Sequence, residues 1–447
     1  MVRRIILGIL RFALRVYFRR IEIIGLEHVP LDSPVIFVLN HPNALGDPVF
    51  LFCLAPRRVS FLAKAPLFRM PVLGFFIRAL DSLPVYRRTD EGEDVSRNEE
   101  TFVAARKLLA GGGTIGICPE GVSHSELRLL PIKTGAARIA LGAVSTGEVV
   151  DLKIIPAGLY YTSKTQFRSG VLLYFGKPVD VPPISLEVTG NLPRAAVREL
   201  SNRIEGALRD VILNAEQEEA LQTIIRAEKI FSGEADDGSR ESLAHELQLQ
   251  QRFIKAYTIL RERAPERLRR LELRMSRFEQ ELSQAGVDPD DFSAPPSPVT
   301  VLVHILVRIG VFVILILPAT LGIVVHYPAY WLGRYLATRF SRDEEDVVST
   351  VKIISGMLLL PLTWLLVTAL VYKWLGWELA LPALLLLPLL AYLAVRFFEE
   401  FDKSIGGLRA LAFFLMRRRF FVRLLAERKA IRREIVALGQ ETANVSQ

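Results

Sequence analysis

Beyond the Pro- and Asp-rich segment 288–298, the chain turns apolar and stays so to about residue 396. Val299 to Tyr330 runs far past the roughly 20 apolar residues that cross a bilayer, and Ile353 to Tyr372 and Leu379 to Val395 are two further candidates. A chain built this way cannot fold as one water-soluble globule. Its C-terminal region must be helical, because a helix satisfies its own backbone hydrogen bonds in lipid. Pro318 and Gly322 allow the first run to be one long tilted helix or a hairpin turning near Pro318. Lys373-Trp374-Leu375-Gly376-Trp377 reads as a turn whose Trp residues suit the interface. We expect two hairpins over 299–396, which keep the N-terminal domain and the Arg417-Arg418-Arg419 tail on the cytoplasmic side; three crossings would separate them. Arg308, inside the first run, should snorkel or face protein.

The net charge of +8 gathers in Arg clusters at Arg3 to Arg20 and Arg417 to Arg433. Both flank apolar sequence and neither has the signature of a nucleic-acid reader, so anionic lipid headgroups are the expected partner. Residues 1–20 read as an amphipathic membrane-interface helix with Ile5, Ile6, Leu10, Leu14 and Phe18 on one side. An ordinary helix packed on its own domain is the alternative. Cys53 and Cys118 have neither disulfide nor metal-ligand spacing and read as small core residues in a reducing compartment.

Between residues 21 and 213 short apolar runs alternate with amphipathic stretches. Strands are expected at Glu22 to Ile24, Val35 to Leu39, Val59 to Leu62, Gly113 to Ile117, Leu152 to Leu159 and Gly170 to Phe175. Helices are expected at 47–54, 98–110, 131–144 and 194–213. This is the pattern of an α/β domain with a mixed, largely buried sheet flanked by helices. Residues 214–288 read as two charged helices broken near 232–238, residues 289–298 as a linker, and 397–447 as a basic helical tail.

The chemistry concentrates after the expected strands. Asn40-His41-Pro42-Asn43-Ala44-Leu45-Gly46-Asp47-Pro48 follows the run Val35 to Leu39 and puts an imidazole and a carboxylate where open α/β sheets build their sites. A His held by a carboxylate, with no Ser or Cys evident beside it, suits a general base acting on a substrate hydroxyl, although such pairs are often only structural. Lys64, Arg69 and Arg87 follow the third strand and can clamp a phosphate. In Cys118-Pro119-Glu120-Gly121, the carboxylate can bind a hydroxyl and the Gly amide can face an oxyanion. Lys133 and Arg138 border a stretch of small residues at a helix start. Arg168 is a ligand candidate after Ile155-Pro156.

The order of these segments resembles the four motifs of the phospholipid and glycerol acyltransferase family. Gly116 to Ala143 and Ile154 to Gly176 resemble the fungal-type glycerol-3-phosphate and dihydroxyacetone-phosphate branch, and the likeness covers roughly residues 20 to 215. The resemblance implies a membrane-bound O-acyltransferase that moves an acyl group from acyl-CoA or acyl-ACP to glycerol-3-phosphate or dihydroxyacetone phosphate, with no metal or nucleotide cofactor. His41 matches the base and Asp47 its orienting partner. Lys64, Arg69 and Arg87 match the acceptor-phosphate region, Glu120 and Gly121 the acceptor motif, and Pro156 the acyl pocket. Membrane lipids and an acyl carrier protein are the implied partners, and the domain is expected on the cytoplasmic side. Two departures stand out: five residues separate His41 from Asp47 where the family commonly has four, and Val122-Ser123-His124 replaces the common Thr-Arg, leaving Arg138 or Arg168 to supply the missing cation. A lysophosphatidate or other lysophospholipid acyltransferase shares the same motifs. A non-catalytic lipid-binding scaffold is the reading from another class.

Overall fold

The computed structural model describes residues 1–90, 92–188, 191–214, 223, 226–227, 230, 242–286, 298–341 and 345–443. Its contacts divide the chain into two compact units. The first holds Met1–Asn214 with Ser242–Leu247 and Ala337–Ile353; the second holds the remainder.

Helix α1 (Val2–Tyr17) leads into β1 (Arg20–Ile24), and the first unit continues through β2 (Val35–Leu39), α2 (Gly46–Leu54), β3 (Val59–Lys64), α3 (Ala65–Arg69), α4 (Pro71–Ala79) and β4 (Leu83–Val85). It closes with α5 (Asn98–Ala110), β5 (Thr114–Ile117), α6 (Gly135–Val144), β6 (Lys153–Tyr161), β7 (Gly170–Phe175), β8 (Val179–Asp180) and α7 (Arg194–Val211). The strands form one sheet in the order β1-β7-β6-β2-β5-β3-β4, with β8 paired to β6. All neighbours are parallel except β6 with β7 and β8. Strand β2 is wholly buried because alternate side chains feed two cores. Ile36 and Val38 meet Ala105, Leu109, Ile139 and Leu200 on one face, while Val35, Phe37 and Leu39 meet Leu14, Phe50 and Phe175 on the other. Each such side chain contributes on the order of 1.5–3 kcal/mol. Gly158 lets α7 seat on β6: an added Cβ would stand 2.0 Å from the Val211 carbonyl oxygen.

The sequence pattern anticipates β1 to β3, β5 to β7 and the helices expected at 47–54, 98–110 and 194–213, the last ending at Val211; it passes over α3, α4 and the short strands β4 and β8, and the helix expected at 131–144 begins only at Gly135. Helix α1 turns the expected stripe inward: Ile6, Leu14 and Phe18 are buried in the first unit's core, so that side packs on its own domain. Ile5, expected in the same stripe, faces outward with Ile9, Phe12 and Val16.

Helix α8 (Leu243–Arg263) is followed by α9 (Pro265–Gln284), α10 (Pro298–Ser341), α11 (Glu345–Leu375), α12 (Trp377–Met416) and α13 (Arg418–Ala443). The helical block after residue 242 therefore breaks at Ala264-Pro265, while the expected break at 232–238 and linker residues 289–297 lie outside the described residues. No hairpin forms at Pro318. Helix α10 runs unbroken through it for 44 residues, about 66 Å. Among the described residues, three helices are long and apolar enough to cross a membrane, at Ile309–Phe340, Thr350–Leu375 and Trp377–Phe401. The expected Trp-flanked turn is there, at Gly376 with φ of 81°. The side chain of Arg308 lies outside the described residues. Gly322 permits close approach to α12, since a Cβ there would meet the Leu390 carbonyl oxygen at 2.2 Å. The Trp364 indole donates to His326 Nε2 at 2.9 Å, tying α11 to α10. The C-terminal basic segment is not a free tail. Phe421, Leu424, Ile431 and Ile435 of α13 share a core with Leu271, Met275, Phe278 and Leu282 of α9. Arg274 binds Glu427 at 2.9 Å and also pairs with Glu434.

Candidate active site

The site is built on the loop after β2. The Asn40 amide extends the strand pairing, donating to the Leu159 carbonyl at 3.0 Å and accepting from the Leu159 N–H at 2.7 Å. The chain then turns: Ala44 takes a left-handed φ of 35°, and the Gly46 N–H closes on the Asn43 carbonyl at 2.8 Å. This turn accommodates the five intervening residues and delivers Asp47 to the first turn of α2. There Asp47 is fully buried, and its Oδ2 accepts from His41 Nδ1 at 2.9 Å and the Asn43 N–H at 2.7 Å. Its Oδ1 accepts from the Tyr161 hydroxyl at 2.7 Å. Burial, aided by the Asp47 charge, raises the Tyr161 pKa well above its ordinary value, so the phenol stays a donor. A carboxylate that accepts from all three fixes the proton of neutral His41 on Nδ1 and leaves the Nε2 lone pair for a substrate.

Two elements shift the balance at His41. Burial lowers its pKa, but Cys118 and the hydrogen bond His41 donates to Asp47 outweigh it and the net direction is well upward. Burial also pushes the Cys118 thiol up, which keeps it protonated and leaves Asp47 as the group that raises His41 at neutral pH. Cys118 stands close enough to the imidazole to affect its protonation, so it is more than the core filler its sequence context suggests.

Glu120 is buried and fully engaged. Its Oε1 accepts from the His41 backbone N–H at 3.2 Å; its Oε2 accepts from the Leu130 N–H at 2.9 Å and pairs with His124 Nε2 at 2.5 Å. The His124 N–H donates to the His41 carbonyl at 3.1 Å. Glu120 is thus a brace between two loops and not an open hydroxyl ligand. The Gly121 amide likewise donates to the Cys118 carbonyl at 3.1 Å and does not face an oxyanion. Gly121 has φ of 73°, and an added Cβ would stand 2.5 Å from Lys133 Nζ.

Of the expected cations, the structure gathers Lys64, Arg87 and Lys133. Arg87 donates to the Gly121 carbonyl at 2.5 Å and to Asp90 at 2.8 Å. The Arg87 hydrogen bond, with the charges of Arg87, Lys64 and Lys133, holds the Asp90 carboxyl below its ordinary pKa. The others make different contacts. Arg69 pairs with Glu93 at the surface, and Arg138 lies over the Phe102 ring at 5.3 Å, packing α6 on α5. Arg168 reaches the Arg15 and Val16 carbonyls at 3.4 Å, capping α1 as helix C-termini favour. Pro156 is buried inside β6 opposite Val38, so the strand supplies the pocket through Leu159, Tyr160 and Tyr161 instead.

That pocket, beside His41, is lined on its polar side by Asn40, Glu120, His124, Arg128 and Lys164, and on its apolar side by Leu129, Leu159, Ile212 and Leu213. Sequence reasoning gave no role to Tyr161, His124 or Asn40; all three lie within or beside the expected motifs, but no spacing rule marks them. Among the described residues no group of three His, Cys, Asp or Glu side chains stands at metal-binding spacing.

Residues 20–160 match the Acyltransferase family model, and residues 235–443 match the model described as the Glycerol-3-phosphate acyltransferase 2 C-terminal domain. Glycerol-3-phosphate O-acyltransferase 2 of Saccharomyces cerevisiae is 29% identical over 282 residues, 61% of this chain and 36% of that protein. Glycerol-3-phosphate O-acyltransferase 1 of the same yeast is 25% identical over 331 residues, 55% of this chain and 43% of that protein. The chain thus spans less than half the length of either relative. The crystal structure of the 1-acyl-sn-glycerophosphate acyltransferase PlsC from Thermotoga maritima overlaps 47% of this chain and 79% of its own, at 22% identity and a TM-score of 0.34. The chain is thus similar to the Acyltransferase family over residues 20–160 and to the glycerol-3-phosphate acyltransferase 2 C-terminal domain over residues 235–443.

Proposed function

We propose that the chain transfers an acyl group from an acyl thioester, on coenzyme A or an acyl carrier protein, to a hydroxyl of glycerol-3-phosphate, a step in phospholipid synthesis. The observation that carries this is the buried Asp47 bound to His41 Nδ1 at 2.9 Å. His41 Nε2 takes the proton of the acceptor hydroxyl as its oxygen bonds to the thioester carbonyl carbon. The resulting imidazolium is stabilised by Asp47. Collapse of the tetrahedral intermediate breaks the C–S bond, and the leaving thiolate takes the proton back from His41. Lys64, Arg87 and Lys133 form the anionic subsite for the acceptor phosphate, with Asp90 as the counter-charge the phosphate displaces. The apolar pocket wall accepts the start of the acyl chain. Dihydroxyacetone phosphate presents the same phosphate and one hydroxyl, and is a second acceptor. No step calls for a metal or nucleotide cofactor.

The first unit, by this reading, faces the cytoplasm, where soluble thioesters are found. The core shared by α9 and α13 keeps both ends of the apolar region on one side of the bilayer, so by this reading two of the three candidate helices cross it fully and the third does not.

Thiol release by the purified full chain in lipid nanodiscs tests the proposal, with glycerol-3-phosphate, dihydroxyacetone phosphate and lysophosphatidate supplied in turn. Turnover with glycerol-3-phosphate that is lost in His41→Ala supports it. Turnover with lysophosphatidate alone would reassign the acceptor, and equal turnover by His41→Ala would remove His41 as the base.

A further inference from the structure

We propose that α1 and α4 together form a lipid-contacting face of the catalytic unit, separate from the apolar spanning helices. On α1, Ile5, Ile9, Phe12 and Val16 are 53%, 49%, 66% and 39% exposed, and their spacing places them in one stripe. Arg4, Arg11 and Arg15 are exposed along its flank, as suits anionic headgroups. On α4, Val72 and Phe75 are 71% and 52% exposed, with Phe76 and Met70 beside them. The two helices are neighbours: Arg3 of α1 donates to the Leu80 carbonyl at the end of α4 at 2.6 Å, and to Asp81 at 2.8 Å. So many large apolar side chains on adjoining helices exceed what a soluble surface ordinarily carries without a partner.

A bilayer is the occupant because membrane-spanning sequence meets this same unit at α1. Lys352, in the first turn of the candidate span Thr350–Leu375, donates to the Thr165 carbonyl at 2.7 Å. The Tyr17 hydroxyl, at the last residue of α1, reaches that carbonyl at 3.5 Å. The start of a span, Lys352 with its neighbour Ile353, is thereby held within the first unit beside the C-terminal end of α1. Helix α4 follows Lys64 by only a few residues, so the same face lies next in sequence to the anionic subsite. A long-chain acyl donor, or the acylated product, can then pass between lipid and site without crossing water.

The test reads lipid contact directly and does not depend on acyl transfer. p-Benzoylphenylalanine, close in shape to Phe, is introduced at Phe12, Phe75 and, as a control at an exposed apolar position before β6, Val150. The full chain is irradiated in phosphatidylcholine/phosphatidylglycerol vesicles, and lipid adducts are read by mass. Lipid adducts at 12 and 75, at least tenfold above those at 150, are expected. Adducts at neither position, or at 12 alone, overturn the composite face; Ile9 and Val72 serve as second sites should either variant misfold. Val72→Asp combined with Phe75→Asp should lower turnover of a palmitoyl thioester about tenfold and leave a butyryl thioester within twofold. Equal loss with both donors counts against lipid access.

Discussion

Replacing Asp47 by Asn removes one charge while keeping the shape of the network. The amide oxygen can still accept from His41 Nδ1 and the Asn43 N–H, and the amide nitrogen can turn to the Tyr161 hydroxyl, whose distance of 2.7 Å leaves room for a hydrogen bond of either sense. The loss is therefore chiefly electrostatic. An imidazolium and a carboxylate about 4 Å apart between charge centres attract by about 4 kcal/mol at an effective dielectric of about 20. Allowing for the neutral hydrogen bond that remains, about 3–4 kcal/mol of transition-state stabilisation disappears, a fall of roughly 10²–10³ in kcat/KM. The pH profile adds a second reading. His41 must be neutral to act, so kcat/KM falls in acid as pH drops through its raised pKa. Without the carboxylate that pKa falls, and the acid limb of Asp47→Asn moves to lower pH. Thiol release from pH 5 to 9 at saturating donor measures both effects, with thermal unfolding as the control for integrity. A variant within threefold of the parent, or one with an unmoved acid limb, would refute the role given to Asp47.

Tyr161→Phe removes one of three donors to Asp47 and should lower kcat/KM about three- to tenfold, the worth of one hydrogen bond of about 1 kcal/mol, as thiol release will show. Gly121→Ala forces a side chain into the left-handed region, at about 1–2 kcal/mol, and crowds Lys133. We expect KM for glycerol-3-phosphate to rise several-fold more than kcat falls in steady-state assays. Gly158→Ala drives a Cβ into the Val211 carbonyl and should prevent α7 from seating, seen as loss of folded protein on size-exclusion chromatography. Epitope tags placed at the Ala264 break and after Gln447 should become protease-accessible from the same side of sealed vesicles, because α9 and α13 share a core; opposite sides would break that assignment.

Much of the catalytic framework was legible because it obeys local rules. The run Val35 to Leu39 reads as a buried strand, and His41 and Asp47 follow it in a segment that Pro and Gly bar from regular structure. The turn itself was not legible: the left-handed Ala44 that closes the pair has no sequence signal, since Ala rarely adopts that conformation. Glu120 and Arg138 were legible as polar groups in the right segments but not in their roles, which depend on what the fold brings opposite them. Helix α1 shows the same limit. Its apolar residues cover more than one face, and only the position of the sheet decides which face is buried. Helix α10 tells against reading a proline as a turn, for in an apolar helix packed on neighbours Pro318 is tolerated.

Glu120 has a mechanical consequence. One carboxylate grips the backbone at His41 and at Leu130 and, through His124, the loop that carries both motifs. The loop that holds the base and the loop that borders the acceptor subsite therefore cannot drift independently, and a displacement that lengthens one contact is felt by the others. Because Arg87 is itself bonded to the Gly121 carbonyl, the cationic subsite is tied to the same clasp, so the base and the phosphate site hold a fixed separation and together gauge the length of the acceptor.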